Sequence, residues 1–272
     1  MIPAPFEYTR ADSADAALAA LSEHGDEAKL LAGGMSLLPL MKLRLATPAV
    51  LVDVGRLRDL SYVRDAGDHV AIGALTRHRD LEVSDLLGAE CGPLRAVAAE
   101  VGDNQVRHRG TIGGSVAHGD PASDLPAALL ALDASFGVRG PAGERTVAAS
   151  DFFQGFLETA LAPDELLTEI RVPKVPGAKF SYEKFNRRAQ DWAIVGALAV
   201  RNGSTRVALV NMGATPLRAK AVEDALAAGS SPADACEHAA EGTEAPADLN
   251  ATPEFREHLA RVLVRRALEA TV

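Results

Sequence analysis

The chain is 272 residues long, and 47% of its residues are hydrophobic while 24% are charged. That composition is typical of a folded globular protein, and the formal net charge of −9 argues against nucleic acid as the main partner, because phosphate backbones are bound by clustered lysine and arginine. No apolar run approaches the roughly 20 residues that a membrane-spanning helix needs. The first residues also lack the basic and apolar segments of a signal peptide, so we expect a cytoplasmic protein without a membrane span.

Cysteine is scarce in this chain. Cys91 and Cys236 lie far apart, and neither belongs to a C-x-x-C pair. An iron–sulfur cluster or a structural zinc site needs more ligands at closer spacing. The sequence therefore predicts two buried thiols and no metal site. It also contains no nucleophile elbow of the G-x-S-x-G type, so it predicts no catalytic residue.

The first 55 residues predict a small α/β unit, which is the first expected domain (1–55). Ser13 or Asp12 can cap a helix, and Gly25 stands where that helix would end. Short apolar runs at 29–32 and 49–54 predict strands. The intervening LLPLMKLRL predicts a short helix.

Residues 56–173 form the second predicted domain, in which strands and helices again alternate. Thr76 is the expected N-cap of a helix over RHRDLEVSDLL. Leu125–Leu132 is apolar on all sides, which predicts a buried helix. The remaining expected elements are a helix over 93–101 and strands at 69–73, 136–139, 146–148 and 166–172.

Residues 174–272 form the third predicted domain, where the pattern changes to strands followed by helices. FSYEKFNRR and WAIVGALAVRNGSTRVALVNMG predict three strands, with Asn202 and Gly203 in a hairpin turn. Thr252 and Pro253 are typical of the cap and first residue of a long final helix. The expected fold class is therefore α+β, with two α/β subdomains and a C-terminal antiparallel sheet with helices.

Two glycine-rich segments stand out, LLAGGMS at 30–36 and GTIGGSVAHGDPASD at 110–124. Neither matches the usual dinucleotide or phosphate-loop motif. Glycine lets the backbone come close to a ligand, and successive N–H groups on one side of a turn favour anions. With the hydroxyls of Ser36 and Ser115 as further donors, two such turns at one cleft can hold a diphosphate. Asp124 is placed to accept a hydrogen bond from a ribose hydroxyl.

Basic residues surround the second glycine segment despite the acidic total. They can screen a diphosphate, meet an acidic partner subunit, or form local ion pairs on a solvated surface. The sequence leaves these alternatives open. The residues concerned are Lys42, Arg44, Arg77, Arg79, Arg107, His108 and Arg109.

The glycine segments and their surroundings resemble those of a known family. LLAGGMSLLPLMKLRLATP, IGALTRH, QVRHRGTIGGSVAHGDPASDLP, ELLTEIRVP and DWAIVGALA are similar to the FAD-binding medium subunits of the molybdenum hydroxylases, and most similar to the aerobic carbon monoxide dehydrogenase group. The likeness runs from Ile2 to about Val210 and more loosely through the final helix. It implies the FAD-binding fold of the vanillyl-alcohol oxidase or PCMH type, with FAD between the first two domains and the third domain over the flavin ring.

The resemblance also implies which residues contact FAD. The first segment would line the adenine and diphosphate side, the second would bind the diphosphate and ribityl chain, and Asp124 would hold a hydroxyl. Further contacts would come from other parts of the chain. The residues assigned in this way are Leu30, Leu31, Ala32, Gly33, Gly34, Met35, Ser36, Leu37, Val101, Thr111, Ile112, Gly113, Gly114, Ser115, Asp124, Leu167, Lys184 and Trp192.

Two of these positions depart from the usual family pattern. Trp192 follows Asp191 where tyrosine is common beside the isoalloxazine ring; an indole can stack on a flavin but has no phenolic hydroxyl. The alternative for Trp192 is a core aromatic residue at the start of a strand. Met35 stands where histidine or glutamine is common, and it packs without donating a hydrogen bond.

The resemblance implies a multi-subunit oxidoreductase. Electrons would pass from a molybdenum-pterin centre on a large subunit, through two [2Fe–2S] clusters on a small subunit, to the FAD of this chain. They would then reach a quinone, a cytochrome or another acceptor, with peripheral contact to a quinone-linked acceptor, in a dimer of heterotrimers.

The substrate would be selected by the large subunit. Carbon monoxide is preferred, and an aldehyde, a purine, a nicotine-type heterocycle or an aromatic thioester is the alternative. A self-sufficient FAD oxidoreductase and a scaffold without flavin are the competing functions.

Overall fold

The structure is a computed structural model that describes residues 2–272. Its strands form three main sheets and one two-stranded ribbon. Each main sheet takes its strands from one of the predicted ranges 1–55, 56–173 and 174–272, so the α+β fold class is confirmed. None of the helices within residues 2–272 combines the length and hydropathy that crossing a bilayer requires.

The first sheet is parallel, in the order β1-β3-β2. Ser13 caps α1, since its hydroxyl accepts from the N–H of Ala16 at 3.0 Å, and Gly25 ends that helix with φ +52°. The strands predicted at 29–32 and 49–54 are confirmed, whereas β1, whose four residues are all exposed, had no apolar signal. The elements are β1 (Glu7–Arg10), α1 (Ala14–His24), β2 (Ala28–Leu31), α2 (Leu37–Leu43) and β3 (Val50–Asp53).

The second sheet is antiparallel throughout, in the order β4-β5-β10-β6-β7. Its core contains Ile72, Leu94, Leu129 and Phe136, all fully buried, and the buried helix predicted at 125–132 is confirmed as α8. The elements are β4 (Val63–Asp65), β5 (His69–Gly73), α3 (His78–Glu82), α4 (Asp85–Glu90), α5 (Gly92–Ala99), α6 (Asn104–Arg109), α7 (Ile112–His118), α8 (Asp124–Ala131), β6 (Ser135–Gly140), β7 (Gly143–Ala148), α9 (Ala149–Phe152), β8 (Phe153–Gly155), β9 (Glu158–Thr159) and β10 (Leu166–Pro173).

The prediction that Thr76 caps a helix over RHRDLEVSDLL is wrong. The Thr76 hydroxyl instead donates to the carbonyl of Tyr62 and accepts from its N–H, at 2.9 and 3.0 Å. Two separate helices follow, and Ser84 caps the second by accepting from the N–H of Leu87. A threonine hydroxyl can satisfy a neighbouring loop as readily as a helix end, and here the loop takes it.

The third sheet is antiparallel, in the order β11-β12-β13-β14. The predicted hairpin is confirmed: Asn202 pairs with Ser204 around Gly203, whose φ is +75°. Thr252 caps the final helix by accepting from the N–H of Phe255. The elements are β11 (Lys179–Phe185), β12 (Val195–Asn202), β13 (Ser204–Val210), β14 (Leu217–Arg218), α10 (Lys220–Ala227), α11 (Pro232–Ala235) and α12 (Pro253–Glu269).

The second and third sheets are joined by the alternation of side chains along β12 and β13. Leu198 and Val200 face the core of the second sheet, whereas Ala197 and Ala199 face the core that contains α12. Successive strand residues point to opposite faces, so one sheet serves two cores. The boundary between residues 173 and 174 is therefore tightly packed.

Candidate FAD site

The two glycine segments meet in space. A Cβ atom added to Gly33 would overlap the carbonyl oxygen of Arg109 and lie 2.8 Å from the Cα of Gly110. A Cβ added to Gly114 would lie 3.9 Å from that of Ala32. Residues about eighty positions apart in sequence thus form one junction, and at Gly33 only glycine permits the close approach.

The first segment leaves its backbone donors unused. The N–H groups of Gly33, Gly34, Met35 and Ser36 make no hydrogen bond to any acceptor within residues 2–272. Gly34 has a left-handed φ of +74°, and the Ser36 hydroxyl does not cap α2. Successive free N–H groups on a turn form a concavity that favours anions. This is the chemistry of a diphosphate site, at the carboxyl end of a parallel sheet.

The second segment differs from the predicted glycine turn, and that prediction is wrong in its geometry. Thr111 is the N-cap of α7, and its hydroxyl accepts from the N–H of Gly114 at 3.1 Å. The N–H groups of Ile112, Gly113 and Ser115 are bonded to carbonyl oxygens of Thr76, Ala74 and Thr111. The four N–H groups from 112 to 115 therefore have acceptors inside the chain.

The glycines of this second segment have different surroundings. Gly113 is buried, and a Cβ there would lie 2.5 Å from the Cβ of Ala74. Gly114 is exposed and Ser115 is half-buried. Gly113 is thus required for packing, while Gly114 and Ser115 present the surface that a ligand can reach.

Arg77 supports the junction from outside the predicted set. Its guanidinium donates to the carbonyl of Arg109, which is the oxygen that Gly33 touches, and Arg77 is bridged to Thr111 through the backbone. Burial, and then the neighbouring Arg109, lower the pKa of Arg77. Its isolation from β-strand or helix periodicity left no sequence signal for this role.

His78 lies beside the junction as a neutral side chain. Its N–H donates to the carbonyl of Gly110 at 3.1 Å, and a Cβ on Gly110 would lie 2.6 Å from the imidazole ring. Burial lowers the pKa of His78 to about 4. The ring therefore packs against the glycine segment without adding charge at neutral pH.

The remaining basic residues divide between ion pairs and exposed surface. Glu82 binds Arg79 and Arg107 at 3.0 and 2.9 Å, so local ion pairing explains these two. His108 and Arg109 are exposed, as are Lys42 and Arg44.

Asp124 and Lys184 form a buried pair behind α7. The Lys184 ammonium donates to Oδ2 of Asp124 and to the carbonyl of Glu100, each at 2.9 Å. The hydroxyl of Tyr182 donates to Oδ1 of Asp124 at 2.5 Å. Burial raises the pKa of Asp124, which Lys184 and Tyr182 oppose, and burial also raises the pKa of Tyr182.

This pairing qualifies the predicted role of Asp124. Both carboxylate oxygens are bonded inside the chain, so Asp124 has only its remaining lone pairs for a ligand hydroxyl, and that role stays a prediction. Tyr182 was missed, although it stands two residues before Lys184 on β11 and therefore shares its face of the sheet.

The other predicted residues lie in three places. Leu30, Leu31 and Leu37 flank the first glycine segment on β2 and α2. Val101 follows Glu100, next to the buried pair, and Leu167 is buried on β10. Trp192 is 54% exposed on the loop before β12, so the alternative of a core aromatic residue is wrong for it.

Comparisons with known proteins identify the family. Residues 4–175 match the FAD binding domain in molybdopterin dehydrogenase, and residues 180–271 match the CO dehydrogenase flavoprotein C-terminal domain. The chain is 41% identical over 281 aligned positions to the carbon monoxide dehydrogenase medium chain of Hydrogenophaga pseudoflava, covering 99% of this chain and 98% of that one. It is 35% identical to the 6-hydroxypseudooxynicotine dehydrogenase complex subunit alpha of Paenarthrobacter nicotinovorans, covering 98% and 95%.

Solved structures agree with this family. A chain of carbon monoxide dehydrogenase from Hydrogenophaga pseudoflava superposes with a TM-score of 0.95 at 42% identity, covering 100% of this chain and 98% of that chain. A chain of quinoline 2-oxidoreductase from Pseudomonas putida 86 gives 0.93 at 29% identity, covering 100% and 98%.

The fold and the glycine junction define a flavoprotein. The chain belongs to the family of FAD-binding subunits of the molybdopterin dehydrogenases. The predicted family, the fold class and FAD as the cofactor of this chain are thereby confirmed.

Proposed function

We propose that this chain is the FAD-carrying electron-transfer subunit of a carbon monoxide dehydrogenase type of molybdenum hydroxylase. It receives electrons from [2Fe–2S] clusters of a partner subunit and passes them to a quinone, a cytochrome or another acceptor. The observation that carries this proposal is the junction of the two glycine segments, with four free N–H groups at Gly33–Ser36.

FAD supplies the redox chemistry when bound, and the chain supplies its placement. The residues of the first segment are suited to hold the diphosphate through backbone N–H groups and the Ser36 hydroxyl. Gly114 and Ser115 offer close approach and a second hydroxyl at the facing helix start. The other predicted contacts, including Trp192 at the flavin ring, belong to the same proposal.

The partners follow from what this chain lacks the ligands to bind. Within residues 2–272 no group of three or more His, Cys, Asp or Glu side chains is arranged to hold a metal ion, and the two cysteines are buried and separate. We therefore propose a large molybdenum-binding subunit and a small iron–sulfur subunit as partners, in a dimer of heterotrimers. Free buried thiols fit a reducing compartment, and the cytoplasm is the location that we propose.

Carbon monoxide is the proposed substrate of the complex, because the relatives described above include carbon monoxide dehydrogenase medium chains. A second relative is named for 6-hydroxypseudooxynicotine, which keeps heterocyclic substrates as the alternative. Residue ranges 1–55, 56–173 and 174–272 remain the proposed domains.

The test is to purify the complex that contains this chain from its source cells and assay it with carbon monoxide and a redox dye. We expect one FAD per copy of this chain and dye reduction that is lost when the iron–sulfur or molybdenum subunit is removed. Turnover by this chain alone would contradict the proposal and favour a self-sufficient oxidoreductase. A chain that ignores added FAD in every assembly would favour the scaffold.

A further inference from the structure

A cavity of about 740 Å³ lies between the second and third domains. Its walls come from the segment Asp120–Ala122, the β8–β9 hairpin, the loop before β12 and the loop before α12. That volume is within the range of small-molecule sites. Of the eighteen predicted FAD contacts, only Trp192 lines it, so the cavity is separate from the glycine junction.

Two large aromatic rings are left open to solvent at this cavity. Phe156 at the end of the β8–β9 hairpin is 69% exposed, and Trp192 is 54% exposed. The rings come from different elements and line the same space. Exposed aromatic surface at a cavity is typical of a ligand site, because planar rings stack on aromatic faces.

The cavity wall is held in a fixed conformation. Asn211, which has a left-handed φ of +62°, donates its N–H to the carbonyl of Pro121 and its side-chain amide to the carbonyl of Ala193, at 2.9 and 2.8 Å. The fully buried Arg256 donates to the carbonyl of Ile194 and pairs with Asp248 at 2.8 Å. The residues on either side of Trp192 are thus anchored from two directions.

The charges at this cavity select the chemical class of the ligand. Four carboxylates line it, those of Asp120, Asp191, Glu244 and Asp248, against the guanidinium groups of Arg187 and Arg256. Arg256 is already paired with Asp248, and Arg187 lies 3.9 Å from Asp191. The remaining field is negative, so it disfavours a ligand with phosphate groups and accepts a neutral ring.

From these observations we propose that the cavity binds a neutral planar quinone between Phe156 and Trp192. The proposal rests on the proposed function, since a flavin subunit must pass its electrons to an acceptor. It narrows the acceptor to the quinone class and excludes a nicotinamide dinucleotide from this cavity.

Trp192 is the only tryptophan of the chain, so its fluorescence reports directly on this cavity. The full chain with saturating FAD is titrated with menadione, a neutral naphthoquinone, and equilibrium dialysis counts the bound quinone. We expect saturable quenching with about one quinone per chain. Absorbance of bound FAD, measured separately, tells whether the proposed function itself holds.

Variants identify the site. Phe156→Ala is expected to weaken menadione binding about threefold to tenfold, the effect of one aromatic stack, and Phe156→Leu, which keeps apolar surface without a ring, is expected to weaken it similarly. The matched control is Phe6→Ala, since Phe6 is exposed but does not line the cavity. A neutral anthraquinone is expected to bind more tightly than its 2-sulfonate, and Glu244→Gln to reduce the difference.

Several results would overturn the proposal. Quenching that does not saturate, or that is equal in Phe156→Ala and wild type, removes the site. Competition between FAD and menadione assigns the cavity to the flavin itself. Tight binding of ADP-ribose at the cavity contradicts the charge argument. If FAD binds and menadione does not, this inference fails while the proposed function stands.

Discussion

The two sides of the glycine junction treat their polar groups in opposite ways. On the side of the first segment, four consecutive N–H groups from Gly33 to Ser36 have no acceptor within residues 2–272. On the side of α7, the N–H groups of 112–115 are bonded, and Asp124 behind them is bonded to Lys184 and Tyr182. Similar glycine-rich text thus yields a bare binding surface on one side and a satisfied support on the other.

This comparison teaches where a substitution should be felt. A group that is already paired contributes to stability, and its loss leaves a buried partner unsatisfied. A group that is unpaired contributes little to folding, and its loss is felt by the ligand. Substitutions on the α7 side should therefore lower the free energy of unfolding, whereas those in the first segment should lower the affinity for FAD.

The largest effect is expected from Lys184→Met. It leaves the Asp124 carboxylate buried without its cation, and breaking a buried pair costs about 3–5 kcal/mol. Urea denaturation measures this loss. Because the folded-state pKa of Asp124 is raised by burial, protonation favours the folded variant, so its stability should increase as the pH is lowered. Lys179→Met, an exposed change on the same strand, should leave stability nearly unchanged; equal losses in both variants would contradict the pairing.

Gly113→Ala should have the next largest effect on stability. Its Cβ would lie 2.5 Å from both the Cβ and the carbonyl oxygen of Ala74, and such overpacking costs about 1–3 kcal/mol. The control is Gly137→Ala on β6, where the nearest atom would be 3.4 Å away. A Gly113→Ala protein as stable as this control would show that α7 is not packed as described.

Gly34→Ala and Gly203→Ala separate binding from backbone strain. The two glycines have nearly equal φ values, +74° and +75°, so each alanine should cost about 1–2 kcal/mol of stability. Gly34→Ala alone should weaken FAD, by about tenfold, because its Cβ would displace Leu38 and reshape the segment. Calorimetric titration with FAD checks this, and equal affinity in the two variants would remove the first segment from the site.

The smallest effect is expected from Ser36→Ala. Its hydroxyl caps no helix, so unfolding should change by less than about 0.5 kcal/mol, while FAD should bind about threefold to tenfold more weakly through one lost hydrogen bond. Ser13→Ala should behave in the opposite way, since that hydroxyl caps α1 and lies outside the site. A stability loss in Ser36→Ala with unchanged FAD affinity would reverse the comparison.

The sequence predicted the first side of the junction better than the second. An apolar strand followed by two glycines and a serine reads the same way in sequence and in structure. At 111–119 the glycines suggested a turn, although Thr111 and Gly119 are the cap and left-handed end of α7. Helix signals at both ends were present, and the glycine pair inside the first turn outweighed them.

Contacts between distant residues were the part that periodicity could not supply. The pairing of Asp124 with Lys184 spans sixty positions, and the contact of Arg77 with the Arg109 carbonyl spans thirty-two. The short helix α6, six residues long after its cap Asp103, also escaped prediction because it has no buried residue to set a period. Resemblance to the family supplied the residues of the site, and the structure supplied their pairing.

Hydrogen–deuterium exchange with and without FAD tests the central claim most directly. The full chain, alone or in its native complex, is followed by mass spectrometry over peptides that cover 32–37 and 111–116. The account predicts strong new protection of the free N–H groups at Gly33–Ser36 and little change at 112–115, which are already bonded. Protection that appears at 112–115 while 33–36 continue to exchange freely would contradict it.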